Sequence, residues 1–246
     1  MAKGYAIVTG GSRGIGKTCV LECAAEGYDV VINYTSERGK KAVEGVLEEV
    51  KALGVRGIAV RADIGTFEGC KKLIDTAVEE FGTNIEVLIN NAGISNGAPF
   101  HETEIAQIER TISVNLLSQL YCTRLALPYM IEQNKGWIIN ISSNAGIAGV
   151  EGYVDYSASK GGVITMTKAL AKEVAQYNIK VNSIAPGCFL TDMTLDNPVE
   201  AQEWCRQQTP LKRLGELEEI TILVRYLLAS NFITGQTISP NGGWTI

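Results

Sequence analysis

The sequence predicts an α/β fold, a single doubly wound parallel sheet of about seven strands with helices on both faces. Three observations carry that expectation. Short β-branched runs alternate with longer helical patterns along the chain. The runs are almost wholly apolar and do not alternate with polar residues, so both of their faces should be buried. With 246 residues, 46% hydrophobic and 20% charged, the chain is long enough to bury a core without disulfides or metals.

The elements follow in order. Tyr5–Thr9 reads as a strand, Gly14–Gly27 as a helix and Asp29–Asn33 as the second strand. A helix over Glu37–Gly54, a strand at Gly57–Arg61 and a helix over Thr66–Phe81 come next. Glu86–Asn90 is the fourth strand, followed by one long helical stretch, Thr103–Gln133. Trp137–Ile141, a helix over Tyr153–Tyr177 and a strand at Lys180–Ala185 continue the alternation. Glu216–Leu228 is helical and Gln236–Ser239 is a last short strand. No linker, repeat or low-complexity segment interrupts the pattern, so residues 1–246 are expected to form one domain.

Composition excludes several functions. The net charge is −5 with no long run of either sign, which argues against a nucleic-acid partner. No apolar run approaches the ~20 residues that span a bilayer. The start, Met1-Ala2-Lys3-Gly4-Tyr5, lacks the pattern of a signal peptide. A cytoplasmic protein with no membrane partner is expected. The six cysteines show no CxxC spacing. Cys19 and Cys23 could pair on one helix face, but a chain whose only histidine is His101 offers little to complete a zinc site. All six are expected to be small buried thiols, with no metal bound. His101 would also have to serve a Ser-His-Asp hydrolase, and no GxSxG accompanies it.

The first strand runs into Thr9-Gly10-Gly11-Ser12-Arg13-Gly14-Ile15-Gly16. Glycines here let the backbone turn sharply and approach a pyrophosphate. The helix behind them presents free N–H groups and its positive dipole end. The spacing is GxxxGxG and not the commoner GxGxxG, and it leaves open a Rossmann-type dinucleotide site or a tight turn with no ligand; its place after the first strand, at the carboxyl end of the sheet, favours the first. An NAD site carries an acid at the end of the second strand; here Asn33-Tyr34-Thr35-Ser36-Glu37-Arg38 follows instead. A 2′-phosphate is repelled by a carboxylate and clamped by guanidinium, so Arg13, Ser36 and Arg38 favour NADP(H) over NAD(H). The other reading leaves Arg13 solvated and turns Glu37 inward onto a ribose.

Tyr156-Ser157-Ala158-Ser159-Lys160 places a phenol and an ammonium on one helix face. Free tyrosine titrates near 10, and a neighbouring cation should lower that value. Ser143 ends the fifth strand and Asn90-Asn91-Ala92-Gly93 the fourth, so all of these should meet at one rim. Asn115 is a lone amide among apolar helix residues.

With these motifs in order, the chain resembles the short-chain dehydrogenase/reductase family, through TGGSRGIG (9–16), Asp63, NNAG (90–93), Asn115, Ser143, YSASK (156–160) and Ala185-Pro186-Gly187. The resemblance implies catalytic roles. Tyr156 would exchange a proton with a carbonyl oxygen, Ser143 would polarise that carbonyl, and Lys160 would tune Tyr156 and hold a ribose. Asn115 would complete a proton relay through water. It also implies a cofactor set. Gly10, Ser12, Arg13, Gly14, Ile15 and Gly16 would cradle phosphates, with Tyr34 and Ser36 beyond the second strand. Asp63 and Ile64 would border the adenine, and Asn90, Ala92 and Gly93 the adenosine side. Pro186, Gly187, Phe189 and Thr191 would line the nicotinamide, beside Tyr156 and Lys160.

Within the family the chain is most similar to 3-oxoacyl-acyl-carrier-protein reductases, through VNSIAPG, Thr191-Asp192-Met193 and ITGQT. That likeness implies a carbonyl or alcohol substrate, with a thioester as first candidate and a hydroxysteroid, sugar or small ketone as alternatives. The docking arginines of such reductases are replaced by Asn134 and Tyr177. A catalytically silent dinucleotide-binding module is the reading from another class. Substrate choice should reside in a lid at about 192–214, with Met193, Leu195, Trp204 and Leu211, joined by Phe189, Tyr153 and Gly149. Ile94-Ser95-Asn96-Gly97 would form the opposite wall. The family resemblance also implies a homotetramer, packed through Ile105–Ile131 and Gly161–Val174.

Overall fold

A computed structural model describes residues 3–196 and 198–246; Met1, Ala2 and Asn197 lie outside the described residues. The strands are β1 (Tyr5–Val8), β2 (Asp29–Tyr34), β3 (Gly57–Arg61), β4 (Ile85–Asn90), β5 (Gly136–Ile141), β6 (Ile179–Ile184) and β7 (Thr237–Ile238). They form one parallel sheet in the order β3-β2-β1-β4-β5-β6-β7. The chain winds outward from β1 to β3, then restarts with β4 on the other side of β1. Ligands of such sheets bind where the order reverses, outside the carboxyl ends of the strands.

The strand residues divide between two faces. Ala6 and Val8 of β1 join Val20, Val46 and Val224 on one side. Tyr5 and Ile7 join Leu73, Cys122 and Val181 on the other. Helices α1 (Gly14–Ala25), α2 (Glu37–Ala52) and α10 (Leu217–Ala229) cover the first face. Helices α3 (Phe67–Phe81), α5 (Ser118–Glu132) and α7 (Val154–Val174) cover the second. Burial of both faces is the reason the strands read as continuous apolar runs. The remaining helices are α4 (Ile105–Ile112), α6 (Ala145–Ala148), α8 (Asp192–Leu195) and α9 (Val199–Gln208).

Two expected helices are corrected. The stretch Thr103–Gln133 is broken into α4, a π turn at Ser113–Leu117, and α5, with a 3-10 turn at Phe100–Glu102 just before it. The wide turn centres on Asn115, whose buried amide is held from outside the helix by Ile94. The helix expected to Tyr177 ends at Val174 and tightens to a 3-10 turn, closed by Asn178 at φ 54°. Helices α8 and α9 lie within the lid expected at about 192–214, where the mostly polar sequence shows no apolar period to set their bounds. Among the described residues, no helix is long and apolar enough to cross a membrane.

Candidate active site

The glycine-rich turn is built against β4 and β2. Gly10 has φ 63° and Gly14 φ 51°, which disfavour a side chain. A Cβ on Gly16 would collide with the Gly10 carbonyl. Thr9 Oγ1 accepts from the amides of Asn91 and Ala92, at 2.9 and 3.1 Å. Asn91 Nδ2 donates to the carbonyls of Thr9 and Gly10. Asn33 Oδ1 accepts from Gly10 N at 3.2 Å, and its amide donates to Ala62 O on the far side. Asn33 and Asn91 are positioning residues that sequence reasoning missed. Their signal was an amide at the end of an otherwise apolar strand.

Some helix starts are capped by side chains and others are not, α4, α5 and α6 among the latter. Ser36 caps α2, Thr66 caps α3, and Glu216 with Glu219 makes a capping box on α10. Helix α1 opens at Arg13 with no side-chain cap and no acid in its first turn. Its first N–H groups and dipole are thus left to whatever lies in the turn, which fits a phosphate.

Beyond β2 the guanidinium groups are present. Arg38 meets Asp192 at 3.3 Å and Asp196 at 3.2 Å, and Arg13 lies 3.8 Å from Asp192. Ser36 Oγ is engaged by Gly39 N as the α2 cap. The Glu37 carboxylate pairs with Arg61 at the surface. Asp63 is bound by Arg110 at 2.8 Å and by Gly65 N, and the Arg110 bond holds its carboxyl below the usual range. It borders an open groove of about 440 Å³ with Thr35, Arg61 and Ala62.

Ser143, Tyr156 and Lys160 meet at the end of β5. Ser143 Oγ accepts from Ala145 N at 3.2 Å and lies beside the Tyr156 phenol. Lys160 is buried, its Nζ 2.9 Å from Ile141 O and 5.9 Å from the Tyr156 ring centre. Ser142 Oγ donates to Lys160 O at 2.8 Å, so the lysine is tied to β5 through both its backbone and its side chain. Burial lowers the Lys160 pKa to about 8. The expected lowering at Tyr156 is corrected. Burial raises its pKa, and the Ser143 hydroxyl only partly offsets this. Asn115 Oδ1 accepts from Ile94 N at 2.8 Å, and its Nδ2 donates to Ile94 O and Ser159 Oγ. A Cβ on Gly93 would lie 3.3 Å from Lys160 Nζ and 3.4 Å from Asn115 Oδ1, so glycine keeps this space open.

Three expected cofactor residues turn their side chains away. Asn90 donates to Asn140 and Thr123 inside the sheet. Ile64 is buried in the apolar cluster over α3. The Phe189 ring packs into the opposite cluster, close against Gly215. Each offers only its backbone to the rim. The loop at Pro186-Gly187 is held by Asn144 N on Pro186 O and by Gly187 N on Pro240 O. Thr191 is the N-cap residue of α8. Opposite the lid, Gly97 packs on Tyr153 and Ala98 N donates to Gly152 O. Met193, Leu195, Trp204 and Leu211 are exposed on the lid, and Trp204 meets Trp244 edge-on at 5.3 Å. Not all six cysteines are buried as expected: Cys188 and Cys205 are partly exposed.

Comparisons with known proteins agree with this geometry. Residues 4–201 match the family model of short chain dehydrogenases. The 3-oxoacyl-[acyl-carrier-protein] reductase FabG of Staphylococcus epidermidis is 39% identical over 240 residues, 97% of each chain. A 3-oxoacyl-[acyl-carrier-protein] reductase of Synechocystis is 40% identical over 241 residues, 97% of this chain and 95% of its own. A solved structure from Sinorhizobium meliloti, assigned as a short-chain alcohol dehydrogenase, superposes with a TM-score of 0.91 at 32% identity. It covers 99% of this chain and 97% of that one.

Proposed function

The chain belongs to the short-chain dehydrogenase family, and from that premise we propose that it is an NADPH-dependent reductase of 3-oxoacyl thioesters. It is an oxidoreductase that uses a nicotinamide dinucleotide. The observation that carries the chemistry is the meeting of Ser143, Tyr156 and Lys160 at the rim shared with the glycine-rich turn. The nicotinamide, when bound, supplies the hydride. Tyr156 gives its phenolic proton to the substrate oxygen, and Ser143 donates a hydrogen bond to the same atom. Because burial raises the Tyr156 pKa, the phenol keeps its proton at neutral pH and is poised as an acid, the role that reduction needs. Lys160, near its midpoint at about 8, can hand a proton inward to Tyr156. Asn115 sets the far wall of that path across Gly93.

The choice of NADP(H) rests on charge. The end of β2 carries Tyr34 in place of an acid, Glu37 is committed to Arg61, and Arg13 and Arg38 stand beside it. A 2′-phosphate would compete for both arginines with Asp192 and Asp196. The cofactor rim thus suits the phosphate, with Gly10, Ser12, Gly14, Ile15 and Gly16 presenting backbone to the bridging phosphates.

The thioester reading rests on the relatives' names and on the apolar lid of residues 192–214, which suits an acyl chain. The carrier protein is a separate matter. Asn134 and Tyr177 lie at the amino ends of β5 and β6, roughly 20 Å of strand from Ser143. Neither can supply a positive charge to an acidic partner. We include the acyl thioester in the proposal and not the carrier. Assembly as a homotetramer in the cytoplasm fits the exposed Ile105, Leu120 and Phe67 on α3 to α5. The deciding experiment follows NADPH oxidation with 3-oxoacyl-coenzyme A, 3-oxoacyl carrier protein, steroid and sugar ketones. The thioesters should turn over fastest. Preference for a steroid or sugar would overturn the substrate assignment, and no turnover of any ketone would favour a silent binding module.

A further inference from the structure

Cys188 and Cys205 differ from the other four cysteines. Cys19, Cys23, Cys70 and Cys122 are buried in the two cores, whereas Cys188 and Cys205 are partly exposed and unbridged. They sit on two different parts of the site, the floor and the lid. Cys188 follows Pro186-Gly187 on the floor, where its carbonyl accepts from Gly215 N at 2.9 Å. Cys205 belongs to α9 of the lid. The two sulfur atoms are 2.6 Å apart, against about 2.05 Å in a disulfide. A shift of roughly half an ångström between the sulfurs joins them.

The pair is also chemically unequal. The Cys188 thiol donates to the Cys205 sulfur. That bond, with Arg206 beside it, holds Cys205 below the ordinary thiol range, while Cys188 is pushed up. An attacking thiol and a resolving thiol differ in this way. The lid is held mostly by surface contacts. Helix α9 has no fully buried residue. Among the lid's ties are the Trp204–Trp244 contact, the Leu211 N to Gly242 O bond at 3.2 Å, and the exposed pairs of Asp192 and Asp196 with Arg38.

We propose that Cys188 and Cys205 form a reversible disulfide by exchange with a small-molecule disulfide, and that the bond locks the lid onto the floor of the active site. The Cys205 thiolate attacks one sulfur of the small disulfide, breaking its S–S bond and releasing the first small thiol. Cys188 gives up its proton and attacks the Cys205 sulfur of the mixed disulfide, releasing the second small thiol. The protein loses two hydrogens, and the small disulfide gains them. The locked lid cannot open for a bulky substrate, so oxidation turns the enzyme off and reduction turns it on.

The test uses the full chain titrated with oxidised glutathione. Free thiols are then alkylated in an unfolded portion and counted by mass, while trypsin probes the lid and the NADPH-dependent rate is followed on the folded protein. The oxidised protein should alkylate at four cysteines in place of the six in the sequence. A cross-linked peptide should join Cys188 to Cys205. Tryptic cleavage after Arg206 and Lys212 should slow, most of the rate should be lost, and dithiothreitol should reverse every change. Cys205→Ser and Cys188→Ala, each compared with its own untreated rate, should lose nothing on oxidation. Linkage of any other pair overturns the proposal, as does glutathione that stays on Cys205. So does a Cys188–Cys205 bond that alters neither proteolysis nor rate. Mapping and proteolysis need no substrate, so an error in the thioester assignment leaves them readable.

Discussion

Replacing Lys160 by methionine should make the protein more stable while removing its activity. Burial lowers the ammonium pKa from 10.5 to about 8. At about 1.4 kcal/mol per unit, keeping that charge at pH 7 costs the fold about 3 kcal/mol. Methionine fills similar space without a charge, but it leaves the Ile141 carbonyl, now 2.9 Å from Nζ, without its donor. An unpaired buried acceptor costs about 1–2 kcal/mol. The net gain is about 1–2 kcal/mol, a rise in Tm of roughly 2–8 °C for a chain of this size. The gain depends on pH in a defined direction. Below about 8 both folded and unfolded chains hold the proton, so the whole cost is present. Between about 8 and 10.5 the folded chain releases it first, and the parent protein gains stability as pH rises. Above 10.5 neither form is charged, the cost is gone, and only the lost hydrogen bond separates the two proteins. Urea unfolding of parent and Lys160→Met at one protein concentration, at neutral and at alkaline pH, measures this. A variant that is less stable at pH 7, or a difference that does not change with pH, would refute the reasoning.

Tyr156→Phe should lower kcat by about 10²–10⁴ and leave NADPH affinity nearly unchanged by fluorescence titration. Arg13→Ala and Arg38→Ala should each weaken NADPH about tenfold, with NADH affinity unaltered; equal losses for both cofactors would remove the 2′-phosphate from that pocket. Gly16→Ala forces a Cβ onto the Gly10 carbonyl, and calorimetric titration should find dinucleotide binding lost while far-ultraviolet circular dichroism stays close to that of the parent.

The sheet could be read from the sequence because its strands are buried on both faces and its turns are marked by glycine. The YxxxK pair could be read because helical spacing alone puts Tyr156 and Lys160 together. Other features are set by tertiary contact and leave no periodic trace. The π turn at Asn115 adds a residue to a helix whose apolar pattern hardly changes across it. Asn90 lies in a motif that points to the cofactor, yet its amide is claimed by Asn140 inside the sheet. Arg13 and Arg38 were legible as charges, but their partners Asp192 and Asp196 are more than 150 residues away from Arg38. Cys188 and Cys205 carry no motif, and only the folding of the lid over the floor brings their sulfurs together. The direction of the Tyr156 shift is not legible in the sequence, because burial, the largest contribution, is set by the packing around α7.

A row of buried polar groups crosses the molecule beneath the site. Thr123 of α5 meets Asn90 at 3.1 Å, Asn90 meets Asn140 at 2.9 Å, and Asn140 meets Thr167 of α7 at 2.9 Å. Helix α7 also bears Tyr156 and Lys160, so this transverse brace sets the height of the proton donor above the sheet from within. Its members must be matched to one another, since replacing one leaves an amide or hydroxyl stranded in a dry interior. Asn140→Leu, at a position that touches no ligand, should lower kcat more than it raises KM. The alignment of the reacting groups then depends on side chains that lie inside the sheet and its covering helices, away from the reacting atoms.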